Sequence, residues 1–283
     1  MTDQAATLRV IRGGDGPITR PTPQRRAIAI SGGKGGVGKS TVALNLAITY
    51  AQAGAKALIV DTDLGMADLN LLLGVAPDRS VLDALGGAAI EDVLVQAHGI
   101  SLLPALNGSY LLSTLGPAAQ SRMLEMIASL ASRFDTLVVD VAAGIGQLQT
   151  TFASATTDAI VVVNPEPLSM ADAYACLKVL STEQGVRHAY ILPNRVTSRA
   201  QAAELVARLT ALVDRFLDLE ITALPHIPAD PCVAESAQIG IPVAIHAPDA
   251  PSVRALRQVV RALGTLTQAT HTWWRSAAHG DRR

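Results

Sequence analysis

Short, nearly continuous apolar runs alternate along this chain with longer stretches that have helical periodicity. The apolar runs are Arg26–Ser31, Lys56–Asp61, Ile100–Ala105, Thr136–Asp140, Ala159–Asn164 and Ala189–Asn194. Strands that are buried on both faces have this composition. The helical patterns between them include Ser40–Ala53, Ala118–Arg133 and Leu168–Glu183. This alternation predicts an α/β fold with a mostly parallel sheet and helices on both of its faces.

Composition and charge narrow the class of protein. Of the 283 residues, 49% are hydrophobic and 17% are charged, which argues against disorder. Because 23 basic side chains balance 24 acidic ones, the bulk charge favours neither nucleic acid nor an acidic partner. Cys176 and Cys232 suit a reducing compartment and lack the CxxC spacing of metal sites. With no signal peptide and no run of about 18 apolar residues, we expect a cytoplasmic protein.

A glycine-rich segment, SGGKGGVGKST, follows the first predicted strand and opens a predicted helix. Gly33 to Ser40 fits the phosphate-loop pattern G-x-x-x-x-G-K-[ST], in which backbone N–H groups close around phosphate oxygens. Lys39 occupies the phosphate-binding position, and Ser40 is placed to bind Mg²⁺. A chance match is the alternative, but the strand-to-helix context and the density of glycine favour a nucleotide site. Lys34 has no role in an ordinary phosphate loop. The predicted phosphate-binding residues are Gly33, Gly35, Gly36, Val37, Gly38, Lys39, Ser40 and Thr41.

Three carboxylates follow two other predicted strands. Asp61 and Asp63 lie at the end of the second strand, and Asp140 ends the strand TLVVD, as a Walker B carboxylate would. A solvated acidic loop would explain the first two residues, and a helix cap would explain Asp140. Because open α/β sheets bind ligands at the carboxyl ends of their strands, the three together predict one Mg²⁺–nucleotide site.

The segment GGKGGVGKST resembles the deviant Walker A motif of the ParA/MinD group of P-loop ATPases. Members of this group dimerise around two ATP molecules, and the early lysine contacts the nucleotide of the partner subunit. The resemblance therefore implies that Lys34 acts in trans within an ATP-dependent homodimer. Such a lysine would stabilise charge that develops on the transferred phosphoryl group.

Within this group, the chain resembles the FlhG/FleN branch, which controls flagellar number and placement. The resemblance rests on DTDLGMADLNLLLG, DVAAGI and NPEPLSMADAYACLKVLS, and it extends over nearly the whole chain. The sequence departs from the branch at Leu168, where threonine is expected, and at Arg195, where a more apolar residue is expected. The implied function is an ATPase that regulates flagella. The alternative is a partitioning or division-site ATPase that uses nucleoid DNA or the membrane as its track.

The resemblance also assigns roles to individual residues. Lys39 should hold the β- and γ-phosphates, and Thr41 should contact the α-phosphate of ATP or ADP. Asp63 should orient the attacking water, which makes it catalytic together with Lys34 and Lys39. A second set should support Mg²⁺, directly or through water, and consists of Ser40, Asp61, Asp63 and Asp140. Asn194 should contact adenine while the loop after Pro228 closes over the base, although asparagine at a strand end is commonly a turn residue.

The start of the chain carries a separate motif. DQAATLR, Asp3–Arg9, resembles the DQAxxLR segment with which the FlhG branch stimulates the flagellar GTPase FlhF, so an FlhF-type GTPase is an expected partner. Gly13–Gln24 is rich in proline and glycine and is predicted to be a linker. We therefore expect residues 1–24 to be an activator segment and linker, residues 25–250 an ATPase domain, and residues 251–283 an amphipathic helix and tail.

The predicted C-terminal helix has one apolar and one basic side. The apolar side holds Leu256, Val259, Val260, Leu263, Leu266, Trp273 and Trp274, and the basic side holds Arg254, Arg257, Arg261 and Arg275. The first half is interpreted as a surface helix that packs on the body. Beyond Gly264 the pattern suits an interfacial helix, and the family implies ATP-dependent peripheral attachment to the inner face of the cell membrane. Other implied partners are a flagellar switch (C-ring) protein or a flagellar transcription regulator, and DNA is not expected.

Overall fold

Nine strands form one sheet in the computed structural model, which describes residues 26–63, 68–105 and 117–265. The strands are β1 (Arg26–Ser31), β2 (Ala57–Asp61), β3 (Val95–Ala97), β4 (Ile100–Leu103), β5 (Thr136–Asp140), β6 (Asp158–Val163), β7 (His188–Val196), β8 (Glu220–Ala223) and β9 (Ile227–Pro228). Their order is β3-β4-β2-β5-β1-β6-β7-β8, and β9 pairs with β7. Only β3, antiparallel to β4, breaks the parallel pattern among these described strands. The predicted mostly parallel sheet is confirmed.

Eleven helices cover the sheet within the described ranges. They are α1 (Lys39–Gln52), α2 (Leu69–Leu72), α3 (Val81–Leu85), α4 (Ile90–Val93), α5 (Pro117–Ala131), α6 (Gln147–Ser154), α7 (Pro167–Thr182), α8 (Arg199–Phe216), α9 (Pro231–Ile239), α10 (Val243–His246) and α11 (Pro251–Thr265). The three helices predicted from periodicity correspond to α1, α5 and α7. Their ends differ from the prediction by at most two residues.

Successive residues of the central strand β1 point into two different cores. Ile28 and Ile30 pack in a cluster with α1 and α11, whereas Ala27 and Ala29 face a second cluster with α5, α7 and α8. Both clusters consist mainly of fully buried aliphatic side chains. Because β1 has helices on both sides, each of its residues must be apolar or small, which explains the continuous hydrophobic run in the sequence. The predicted helices on both faces are confirmed.

Three strands were missing from the sequence prediction. The strand β3 has three residues and β9 has two, so neither shows a hydrophobic period. The strand β8 is partly exposed and has no continuous apolar run. All six predicted strands are present, and β7 continues past the predicted end at Asn194 to Val196.

The helix α11 packs against α1 and β9 through Val253, Leu256, Val259 and Leu263, which are buried. This confirms the predicted packing of its first half, with Arg254 and Arg261 on the exposed side. The activator segment Asp3–Arg9, the linker Gly13–Gln24 and the tail with Leu266, Trp273, Trp274 and Arg275 lie outside the described residues. No helix in the described ranges is both long enough and apolar enough to cross a membrane.

A buried ion pair lies at the amino edge of the sheet, away from the phosphate loop. Nη1 of Arg26, at the start of β1, donates to Oδ1 of Asp158, at the start of β6, over 3.1 Å. The Thr157 hydroxyl donates to the other oxygen of Asp158 over 2.9 Å. Burial raises the pKa of the Asp158 carboxyl, and the Arg26 charge opposes this shift. The pair therefore ties two adjacent strands together at this edge.

Candidate nucleotide site

The phosphate loop connects β1, which ends at Ser31, to α1, which begins at Lys39. Gly36 and Gly38 have positive φ angles of 80° and 96°, so both are in the left-handed region that favours glycine. A Cβ atom at Gly38 would lie only 2.6 Å from Nδ2 of Asn194. The loop therefore turns sharply into α1, and the first N–H groups of the helix are directed toward the site.

Gly33, the first glycine of the motif, lies against the helix α7. A Cβ atom at this position would lie 2.0 Å from the backbone oxygen of Asp172, which no other residue type can accommodate without movement of the backbone. By contrast, Gly35 is exposed and has open space around it. The motif glycines thus serve different purposes: Gly33 allows close packing of loop and helix, and Gly36 and Gly38 allow the turn.

The Lys39 side chain is buried beneath the loop. Its Nζ donates to the backbone oxygen of Lys34 over 3.3 Å, which holds the ammonium inside the curve of the loop. Burial lowers the pKa of Lys39, and the nearby carboxylates Asp140 and Asp63 oppose this shift. A buried cation of this kind gains most when an anion binds beside it. The position suits binding of a phosphate group.

The predicted carboxylates lie on adjacent strands at the same edge of the sheet. In the pairing register, Asp140 of β5 lies between Ile30 of β1 and Asp61 of β2. Burial raises the pKa of Asp140 to about 7, although the Ser40 hydroxyl and the Lys39 charge oppose the shift. Burial and the charge of Asp140 raise the pKa of Asp61 well above its usual value.

Asp63 follows β2 and is linked to Asp61 through the backbone. The N–H of Asp63 donates to Oδ1 of Asp61 over 2.9 Å, which fixes the turn at this point. Asp63 is half-buried, and its charge acts on both Lys39 and Asp140. The structure thus brings together the predicted metal and catalytic residues Lys39, Ser40, Asp61, Asp63 and Asp140.

The donor set of this edge fits Mg²⁺. Oδ1 of Asp140 is buried and has no hydrogen-bond partner within the described ranges, and the Ser40 hydroxyl lies close to this carboxyl. No group of three or more His, Cys, Asp or Glu in the described part is arranged to hold a metal ion by itself. Because Mg²⁺ is commonly held by one or two protein oxygens together with nucleotide phosphates and water, Ser40 and Asp140 suffice on the protein side.

Lys34 has a partner within its own chain. Its Nζ lies 3.6 Å from Oε2 of Glu166, the residue that precedes α7, and both side chains are partly exposed. Lys34 is therefore at the surface of the site, beside Gly33 and the start of α7. Neither Glu166 nor Asp172 belongs to a phosphate-binding motif, so no sequence pattern points to them.

The end of β7 borders the loop on its other side. Nδ2 of Asn194 donates to the backbone oxygen of Val37 over 2.8 Å, and Nη1 of Arg195 donates to that of Gly36 over 2.9 Å. Pro228 of β9 pairs with Val196 of β7, so the predicted base-closing loop begins beside Asn194. Arg195 departs from the family pattern, but the sequence does not predict its contact with the loop.

A single carboxylate in the loop after Pro228 holds two helices. Oδ1 of Asp230 accepts from the N–H of Cys232 in α9 over 3.1 Å. Its Oδ2 accepts from the N–H and the hydroxyl of Ser252 in α11, over 3.0 and 2.7 Å. Burial acts to raise the pKa of Asp230, but the hydrogen bonds from Ser252 and Cys232 outweigh it and lower the pKa. The spacing Asp-Pro at a helix start could have indicated this cap.

Known proteins resemble the chain over most of its length. The ParA family, described as NUBPL iron-transfer P-loop NTPase, matches residues 24–264. The antiactivator FleN of Pseudomonas aeruginosa is 36% identical over 215 residues, 75% of this chain and 77% of FleN. The flagellum site-determining protein YlxH of Helicobacter pylori is 32% identical over 184 residues, 64% of this chain and 62% of YlxH. The structure of the septum site-determining protein MinD from Pyrococcus horikoshii, complexed with Mg-ADP, superposes with a TM-score of 0.69 at 28% identity, over 85% of this chain and 96% of that chain.

Proposed function

Because this chain belongs to the ParA family of P-loop NTPases, within its FleN/FlhG branch, and is an ATPase, we propose that it regulates flagellar number or placement through ATP-dependent dimerisation. The observation that carries the nucleotide-dependent part of the proposal is the convergence of two loop lysines and three carboxylates at one sheet edge. The names of FleN and YlxH support the flagellar role.

In this proposal the phosphate loop binds ATP or ADP through its N–H groups. Lys39, buried inside the loop, neutralises charge on the β- and γ-phosphates. Thr41, in the first turn of α1, contacts the α-phosphate. Ser40 would bind Mg²⁺, Asp61 and Asp140 would support the ion through water, and Asp63 would lie beside it; when bound, the ion would neutralise charge on the phosphates. Asp63 accepts a proton from the attacking water and orients it toward the γ-phosphate.

The proposed dimer places Lys34 of each subunit at the nucleotide of the partner. Lys34 is half-exposed and its partner Glu166 is more exposed, which supports a lysine that can change partners. A positive charge supplied in trans favours the dimer only when a triphosphate is present, because the charge to be stabilised lies on the γ-phosphate. Dimerisation thus reports the state of the nucleotide.

The base is proposed to bind between Asn194 and the loop after Pro228. The Asn194 amide retains its oxygen and a second N–H after it donates to Val37, and both suit the ring nitrogens and the exocyclic amine of adenine. The half-buried Pro228 and the Asp230 cap hold the start of this loop close to β7.

Deletion of the gene tests the flagellar role. The number of flagella per cell, counted by electron microscopy, should change in the deletion strain, and the parent gene should restore it. A gene that carries Asp63→Ala should not restore the parent number of flagella, because the variant would no longer hydrolyse ATP and its dimer would persist. An unchanged flagellar count after deletion would contradict the flagellar role without bearing on ATP hydrolysis.

The partner proposed for the segment Asp3–Arg9 is an FlhF-type GTPase. A peptide of Met1–Gly14 should accelerate GTP hydrolysis by the cognate GTPase, and Gln4→Ala or Arg9→Ala should weaken this effect. A peptide that leaves GTP turnover unchanged would contradict the partnership. A flagellar switch protein or a transcription regulator is proposed as a further partner, consistent with the name antiactivator given to FleN.

A second candidate function is a partitioning or division-site ATPase, supported by the resemblance to MinD and by the exposed arginines of α11. In either role we propose ATP-dependent peripheral attachment of this cytoplasmic protein to the inner face of the membrane. Truncation after Leu263 should abolish ATP-stimulated sedimentation with anionic liposomes. A salt-sensitive shift of DNA in the presence of ATP would instead favour a DNA track.

A further inference from the structure

Arg195 has a backbone conformation that is unusual for arginine. Its φ angle is +56°, in the left-handed region, which is unfavourable for any residue with a Cβ atom. The pairing of β7 with β9 shifts register between Asn194 and Val196, so Arg195 lies at an irregularity of the strand. Irregularities of this type redirect a side chain out of the regular strand alternation. The strained backbone of Arg195 therefore accompanies the change in direction of its side chain.

The redirected guanidinium reaches the tip of the phosphate loop. Nη1 of Arg195 donates to the oxygen of Gly36 over 2.9 Å, and Nδ2 of Asn194 donates to the oxygen of Val37 over 2.8 Å. Two consecutive residues of β7 thus hold two consecutive carbonyl groups of the loop. The Asn194 contact is buried, whereas Arg195 is exposed and reaches over the outer side of the loop.

These contacts determine where the N–H groups of the loop point. In a planar trans peptide, the C=O of one residue and the N–H of the next point in opposite directions. When the carbonyls of Gly36 and Val37 are held toward β7, the N–H groups of Val37 and Gly38 are turned away from β7. Gly36 and Gly38, both at positive φ, could otherwise adopt several other conformations.

We propose that Arg195 is a positioning residue, which holds the phosphate loop in its anion-binding conformation before the nucleotide arrives. The proposal rests on the proposed function of this site and adds a residue for which the phosphate-loop motif has no place. Because a guanidinium is always charged, its bond to the Gly36 oxygen is stronger than that of a neutral donor. Its charge also raises the positive potential at the loop.

The test compares Arg195→Ala, Arg195→Gly and Arg195→Lys with Arg199→Ala, an exposed arginine at the start of α8 outside the site. Mg-ADP affinity is measured by calorimetry. Arg195→Ala and Arg195→Gly should both weaken Mg-ADP binding about tenfold, and Arg195→Lys should recover part of the loss. The glycine variant suits the positive φ angle, so it removes the guanidinium without backbone strain.

Hydrogen exchange without nucleotide measures the loop directly. The N–H groups of Val37 and Gly38 should exchange faster in the alanine and glycine variants, and at the parent rate in Arg199→Ala. Parent-like affinity and exchange in Arg195→Ala would overturn the proposal. A defect in Arg195→Ala that is absent in Arg195→Gly would also overturn it, because the backbone and not the guanidinium would then be responsible.

The proposed nucleotide function and the positioning role of Arg195 can fail separately. If the parent chain binds no Mg-ADP, the proposed nucleotide function fails, and the exchange rates alone decide the role of Arg195. If the parent binds Mg-ADP and hydrolyses ATP while every Arg195 variant matches it in affinity and exchange, only the positioning role fails.

Discussion

Nζ of Lys34, in the phosphate loop, lies 3.6 Å from the carboxylate of Glu166, the residue that precedes α7. The two side chains are 41% and 61% exposed, so water and salt screen their attraction. Exposed pairs of this kind contribute about 0–1 kcal/mol. The pair therefore orients Lys34 without fixing it, and a phosphate group of a bound nucleotide can compete with Glu166 for the ammonium.

The first prediction concerns Lys34. The Lys34→Ala variant should lose ATP-linked dimerisation, measured by light scattering after gel filtration, because the charge supplied to the partner's nucleotide is missing. Monomeric nucleotide binding should be retained in part, since Lys39 is unchanged. Lys178→Ala, which removes an exposed lysine of α7, should dimerise like the parent. Normal dimerisation of Lys34→Ala would show that Lys34 does not act in trans.

The second prediction concerns Asp63. Asp63→Ala should bind ATP and form dimers, but its rate of phosphate release should fall about 100-fold or more, since a positioned base typically contributes at least this factor. The dimer should therefore persist after ATP is added, whereas parent dimers dissociate as ATP is consumed. Asp78→Ala removes an exposed carboxylate far from the loop in sequence and serves as the control. Turnover by Asp63→Ala at the parent rate would exclude this residue as the base.

The third prediction concerns the buried pair Arg26–Asp158. Asp158→Ala should lower the free energy of unfolding by about 3–5 kcal/mol, because it leaves the Arg26 charge buried without its carboxylate. Urea denaturation followed by circular dichroism measures the change. The exposed pair Glu204–Arg208 on α8 is the control, and Glu204→Ala should change stability by less than about 1 kcal/mol. If both variants lost the same free energy of unfolding, burial would not be what makes the Arg26–Asp158 pair stronger than the exposed pair.

The fourth prediction is a dependence on pH. Asp230 has a lowered pKa in the folded chain, so its carboxylate stabilises the fold above the unfolded pKa near 3.9, and this contribution is lost as the pH falls through the folded pKa. Asp230→Asn should lower the free energy of unfolding by roughly 1 kcal/mol at pH 7, because the amide lacks the charge and its nitrogen cannot accept the hydrogen bonds that one carboxylate oxygen accepts.

The difference between parent and Asp230→Asn should shrink as the pH is lowered below 4. Asp249→Asn, which changes an exposed carboxylate just before α11, should follow the parent at every pH. A constant difference between parent and Asp230→Asn from pH 7 to pH 3 would show that the negative charge is not what stabilises the two helices.

The sequence was sufficient for the central strands and for the sheet edge at which the predicted site residues meet. The buried runs of β1, β5 and β6 are continuous because helices cover both of their faces, and such runs end where the polar site begins. The short strands β3 and β9 could not be found, because two or three residues carry no period. Their positions depend on pairing with β4 and β7, which is a property of the folded chain.

Contacts between residues that are distant in the sequence could not be predicted either, because they also form only in the folded chain. Lys34 and Glu166 are 132 positions apart, and the bond between Arg195 and Gly36 spans 159 positions. A motif records residues that are neighbours along the chain, and these pairs are neighbours only because α7 and β7 flank the loop. The position of Lys39 in the loop was therefore predictable, whereas the groups that surround the loop were not.

Because Asp230 accepts hydrogen bonds from both α9 and α11, it couples the loop after Pro228, where the base is proposed to bind, to the helix α11. One carboxylate begins α9 and α11, so a shift of the loop after Pro228 must either carry both helices along or break three hydrogen bonds. Residues 266–283 follow α11 in the sequence. A nucleotide that moves this loop toward the base would therefore also displace α11. A partner bound to the residues that follow α11 would oppose this displacement.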